Sequence, residues 1–71
     1  MTSREAKRAE AALALAISRI GGVSALAREL KISKAAVSQW IVCPIARVSD
    51  VESICGIDRS DLRPDYYQES K

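Results

Sequence analysis

Residues 22–41 read GVSALARELKISKAAVSQWI and carry the side chains best suited to recognising another molecule. Lys34, Ala35, Ser38 and Gln39 fall on the outward face of an expected helix, and that face contains no acid. Lys34 can donate to guanine O6/N7 or to a phosphate. Gln39 can bond adenine N6/N7 at two points, Ser38 adds a short polar group, and Ala35 can touch a thymine methyl. Four further residues suit phosphates. Ser24 and Ser33 lie at expected helix N-termini, where free backbone N–H groups favour an anion, and Arg28 and Lys31 add charge at the flanks. Taken singly, Ser38 and Gln39 fit a solvated surface better than base reading, and both serines are helix caps first. The joint pattern is what points to double-stranded DNA, with Lys34, Ala35, Ser38 and Gln39 on bases and Ser24, Arg28, Lys31 and Ser33 on phosphates.

Two short helices joined by a three-residue turn must hold these side chains. A steep crossing needs a small residue where the backbones approach, which is Ala27, and apolar residues in the wedge, which are Leu26, Leu30, Ile32, Val37 and Trp40. Ala27, ten residues before Val37 and thirteen before Trp40, has the spacing of a DNA-binding helix-turn-helix. Lys31 occupies the turn position where glycine is common, at a cost of about 1 kcal/mol. Trp40 is read as the core anchor of the third helix, mostly buried between helices two, three and four, rather than as a stacking platform.

The rest of the chain supplies the support. Ala9, Ala12, Leu13, Ala16, Ile17 and Ile20 recur in steps of three and four, which predicts a first helix over about 4–20 with Ser3 as N-cap. Gly21–Gly22 end it, and Ser24 is the expected cap of a short second helix with Leu26, Ala27 and Leu30 inward. Ser33 opens a third helix of about 34–42, with Val37, Trp40 and Ile41 inward and Val42 at the margin of the outward face. Pro44 precedes a fourth of about 45–55, with Val48, Val51, Ile54 and Cys55 inward. A turn follows around Asp58–Leu62, and a loose tail is expected over 65–71. The fold class is all-α: one four- to five-helix domain over 1–71, with the helix-turn-helix at about 24–42.

Composition narrows the alternatives. The chain has 71 residues, 48% hydrophobic, with no Phe, 2 Pro and 3 Gly, which suits a small helical core and neither a disordered chain nor a turn-rich β fold. Residues 1–42 hold seven Lys/Arg against three Asp/Glu, whereas 43–71 hold four against six. A basic first part fits an anionic partner. With no His, no glycine-rich phosphate loop and no nucleophile–base pair, no enzyme activity, metal or cofactor is expected. Asp58, Asp61 and Asp65 read as caps and solvated charges. Cys43 and Cys55 read as small buried residues in a reducing cytoplasm, a disulfide being the alternative. No apolar run reaches the roughly 20 residues of a membrane span, and the N-terminus lacks the order of a signal peptide.

The segment above, continued as CPIARVSDVESICGIDRSDLRPDYY, resembles the small phage Cro-type repressors and the YdaS-like antitoxin family. The resemblance rests on an alanine-rich second helix, the SQW of Ser38–Trp40 and the DLRPD of Asp61–Asp65, and covers about residues 11–67; Met1–Glu10 is less typical. It implies a five-helix domain that binds operator DNA as a dimer. The expected function is therefore transcriptional repression at an operator with inverted half-sites, with a second copy of the chain as partner at least on DNA. The fourth helix and the tail, left over once the basic part faces DNA, are the expected dimer surface. The alternative is an antitoxin or adaptor acting mainly through a toxin or other protein partner, for which the acidic second half, Tyr66 and Tyr67 speak.

Overall fold

Thr2 and Glu5 stand three apart ahead of an alanine-rich run, the arrangement of a capping box. In the computed structural model, which describes residues 1–67, Thr2 Oγ1 accepts from the Glu5 N–H at 3.2 Å and Glu5 Oε1 accepts from the Thr2 N–H at 2.8 Å. The first helix, α1 (Ser3–Ile20), is therefore capped by Thr2 and not by Ser3. Thr2 prevails because only it has a glutamate at the reciprocal position. The stripe read from the sequence is buried as expected, with Ala9, Ala12, Leu13 and Ala16 inside and Ile17 and Ile20 packed partly against the core.

Gly21 ends α1 in the left-handed region at φ 103°, and the Gly22 N–H reaches back to the Ile17 carbonyl at 2.8 Å. The next helix, α2 (Val23–Leu30), turns by 87° from α1 and begins earlier than a Ser24 cap would allow. Gly22 is its N-cap: the Gly22 carbonyl accepts from the Leu26 N–H at 3.1 Å, which places Ser24 inside the first turn. Lys31 ends α2 in the left-handed region, at φ 59° and ψ 41°. The Ile32 N–H then closes on the Ala27 carbonyl at 3.0 Å, so the tight turn forms with lysine where glycine is easier.

Ser33 caps α3 (Lys34–Ser38), accepting from the Ala36 N–H. This helix is shorter than the expected 34–42. Gln39 is its C-cap with near-helical backbone, and the Trp40 N–H bonds the Val37 carbonyl in a final tight turn. Pro44 disfavours helix only at Cys43, the residue before it, so it accounts for a break before α4 and not for the stop at Ser38. The loop over 40–43 instead buries Cys43 completely, and Arg63 donates to the Cys43 carbonyl at 3.3 Å. Two expectations therefore change. Ile41 points outward at 75% exposure, and Trp40, already outside the helix, is half-buried against the core instead of mostly buried.

Pro44 is the N-cap of α4 (Ile45–Cys55), whose Val48, Val51 and Cys55 are buried; Ile54 is not, at 36% exposure. The expected turn at 58–62 is a short helix, α5 (Arg59–Leu62), capped by Asp58, which accepts from both the N–H and the hydroxyl of Ser60 at 2.9 Å. The five helices share one core, centred on Leu26, Val37, Cys43, Val48, Val51 and Leu62. The tail is held where described: Arg63 grips Asp65 through two nitrogens at 2.9 and 2.8 Å, and Tyr67 packs partly on the core under Arg59. Residues 68–71 of the expected loose tail lie outside the described residues.

Candidate nucleic-acid interface

The α2–α3 pair buries Leu26, Ala27, Leu30 and Val37, which leaves its remaining face to solvent. On α2, Ser24, Arg28 and Lys31 are separated by four and three residues and so share one side of the helix; all three are exposed. Glu29 is exposed as well but sits about 100° round the axis from Arg28. On α3, Lys34, Ala35 and Ser38 are exposed, and Gln39 continues that face because its backbone is still helical. Ser33 is exposed at the cap, its hydroxyl engaged by the Ala36 N–H. All eight candidate residues are thus solvent-accessible and lie on two adjoining helices.

Charge is distributed unevenly between this unit and the rest of the molecule. No acid occurs from Leu30 to Ser49, a stretch that includes Lys31, Lys34 and Arg47. Arg28, Lys31, Lys34 and Arg47 make no ion pair with any described residue. Elsewhere four arginines are engaged, while Arg4 and Lys7 of α1 make no ion pair with a described residue either. Arg8 pairs with Asp61 at 2.7 Å, Arg59 with Glu52 at 2.9 Å and Arg63 with Asp65 at 2.8 Å, while Arg19 donates to the Gly56 carbonyl at 3.0 Å. Opposite charges therefore cancel around α4 and α5, and the helix-turn-helix side keeps an excess of positive charge. Arg47, in the first turns of α4, extends the acid-free stretch beyond α3.

The other candidate chemistry resolves into structure. Asp58 is a cap, and Asp61 and Asp65 are ion-pair partners of Arg8 and Arg63. The DLRPD segment is thereby a clasp: Asp61 ties α5 to α1, Leu62 enters the core, and Arg63 reaches the loop before α4. Hydrogen bonds from the Ser60 N–H hold the Asp58 carboxyl below the usual carboxylate range, and Arg63 does the same for Asp65. Both cysteines are free and buried. Burial pushes the Cys43 thiol up to about 11 and the Cys55 thiol upward too, so neither is an activated nucleophile near neutral pH. Among the described residues, no group of His, Cys, Asp and Glu could hold a metal ion, and no single helix is long and apolar enough to cross a membrane.

Comparison with known proteins adds one finding. No curated protein and no solved structure matches the chain. A family model described as bacterial toxin YdaS matches residues 13–71, from the middle of α1 through the helix-turn-helix and the DLRPD clasp. The description says toxin where the resemblance carried the label antitoxin, but the family is the one the SQW and DLRPD segments had pointed to. With well over half its length matched, the chain belongs to the YdaS family.

Proposed function

We propose that the chain binds double-stranded DNA sequence-specifically, with α3 in the major groove, and represses transcription at an operator of inverted half-sites. One observation carries this reading. Three cations without an ion pair to any described residue, Arg28, Lys31 and Lys34, accompany an exposed helix face made of Lys34, Ala35, Ser38 and Gln39 in a stretch with no acid from Leu30 to Ser49. A cation left without a protein partner is the group that neutralises a phosphate and releases its counterion. Small side chains at the start of α3 let its backbone approach the groove floor, and Gln39 and Lys34 supply the base-edge donors and acceptors. Ser24, Arg28, Lys31 and Ser33 fix the register on the backbone.

Titrating duplex DNA at several salt concentrations tests the electrostatic part. If three to four phosphates are neutralised per copy, the logarithm of affinity should fall against that of salt with a slope of about −3 to −4. A slope near zero would overturn the reading. The second reading is action through a protein partner, favoured by the toxin description and by the exposed Tyr66 ring. It gains if DNA binding proves salt-insensitive while a protein complex forms.

A further inference from the structure

The loop after α3 presents one large apolar side chain to solvent. Ile41 is the most exposed large hydrophobic among the described residues, at 75%, ahead of Tyr66 at 60%. The fold imposes this exposure from both sides. Trp40 packs partly against the core, and its N–H meets the Val37 carbonyl at 3.1 Å. Beyond Ile41 the chain turns back in: Cys43 is fully buried, and Arg63 donates to its carbonyl at 3.3 Å. Ile41 is thus held outward between two anchored residues, and its branched Cβ limits the rotamers in which it is presented.

The surroundings narrow what such a side chain meets. Ile41 stands two residues after Gln39 and three after Ser38, where the exposed face of α3 ends. It lies inside the acid-free stretch from Leu30 to Ser49, with Lys34 before it and Arg47 after it. A polyanion suits that stretch. Isoleucine has no side-chain donor or acceptor, so it can hydrogen-bond neither a phosphate nor a base edge. The major groove offers one apolar group to such a side chain, the C5-methyl of thymine.

We infer that Ile41 determines specificity in the proposed DNA interface by recognising a thymine methyl beside the base that Gln39 reads. The inference rests on the DNA-binding reading above and adds to it an apolar contact at the end of α3. Two residues of chain span at most about 7 Å, which is about two base steps of roughly 3.4 Å. The methyl therefore lies within about two or three base pairs of the one that Gln39 meets. Contact takes the methyl and the isoleucine out of water together, and one buried carbon of this kind is worth about fourfold in affinity.

Replacing thymidine by deoxyuridine tests this, because deoxyuridine keeps the base pair and the O4 acceptor and lacks only the methyl. A preferred duplex is selected from a random library with the wild-type chain, and each thymidine in it is replaced singly. Affinities are read for the wild type, for Ile41→Ala and for Ile54→Ala, a control on the exposed side of α4. Ile41 is exposed, so circular dichroism should show native helix in Ile41→Ala. The expected result is one thymine within that reach whose replacement weakens the wild type and Ile54→Ala about fourfold and leaves Ile41→Ala nearly unchanged. A thymine whose replacement still costs Ile41→Ala the full amount is met by another residue, such as Ala35; if every sensitive thymine behaves so, the inference is overturned. A preferred duplex with no sensitive thymine overturns it as well, while the DNA-binding reading stands. Failure to select any preferred duplex overturns both.

Discussion

Replacing Lys31 by glycine separates the needs of the fold from those of the proposed interface, because the two should respond in opposite directions. Lys31 stands in the left-handed region at φ 59° and ψ 41°, the one described non-glycine residue with positive φ. That conformation costs an L-residue about 1–2 kcal/mol and costs glycine almost nothing. Glycine gives back part of the gain, about 0.5–1 kcal/mol, because its unfolded chain has more freedom. The lysine side chain is exposed and makes no ion pair with any described residue, so its loss should remove little from the fold. Lys31→Gly should therefore stabilise the protein by about 0.5–1 kcal/mol, which raises Tm by roughly 2–8 °C in a domain of this size. The same change deletes a cation that the proposed interface assigns to a phosphate. Duplex affinity should fall, and the salt slope should become shallower by about 0.9. Calorimetry and a salt series on one preparation read both effects. A lower Tm would show that the Lys31 side chain supports the turn, and an unchanged salt slope would remove Lys31 from the interface.

Three further outcomes follow from the packing and the ion pairs. Leu26→Ala should cost about 2–5 kcal/mol in urea unfolding, and Trp40→Ala should cost less, since Leu26 is fully buried and Trp40 is not; the reverse order would restore Trp40 as the core anchor. A double-mutant cycle on Arg8 and Asp61, both substantially exposed, should give a coupling of about 0.2–1 kcal/mol, and a value above about 2 kcal/mol would contradict the solvent-screened picture. The carboxyls of Glu52, Asp58 and Asp65 are held below their ordinary values by hydrogen bonds from Arg59, Ser60 and Arg63. Their stabilisation is complete above the ordinary carboxylate value near 4 and is lost as pH falls through the depressed ones. The urea midpoint should accordingly hold from pH 7 to about 5 and drop below about 4; a midpoint that rises on acidification would reverse the sign.

Periodicity made the interior of each long helix legible, because burial of Ala9, Leu13, Leu26 and Val48 depends on steps of three and four along one element. The ends were less legible, because they depend on competition between neighbours. Ser3 and Ser24 are good cap residues that lost to Thr2 with its reciprocal Glu5 and to Gly22, whose φ of 119° suits glycine and starts the helix two residues earlier. The third helix ended at Ser38, and the loop after it turns Ile41 outward and draws Cys43 inward, where its carbonyl meets Arg63, a contact across 20 residues that periodicity does not register. Ion pairs joining distant residues, such as Arg8 with Asp61, leave no local trace in a sequence. For the same reason the engagement of Arg8, Arg19, Arg59 and Arg63 became visible only in three dimensions. The exposure of the eight candidate residues was legible because the spacing of the apolar wedge fixes which side of two short helices is left over once the wedge is filled.

The central claim is that α3 reads sequence while α2 and the turn hold the backbone, and a paired substitution tests it most directly. A preferred duplex is first selected from a random library with the wild-type chain; Gln39→Ala and Arg28→Ala are then compared on that duplex and on a scrambled one. Both residues are exposed and contribute no core packing, so folding should be unaffected. Gln39→Ala should weaken the selected duplex by about 1–3 kcal/mol and leave the scrambled one almost unchanged. Arg28→Ala should weaken both alike and lower the salt slope by about one unit. Equal, sequence-blind losses from the two substitutions, or no loss from either, would contradict the assignment of α3 as the reading helix.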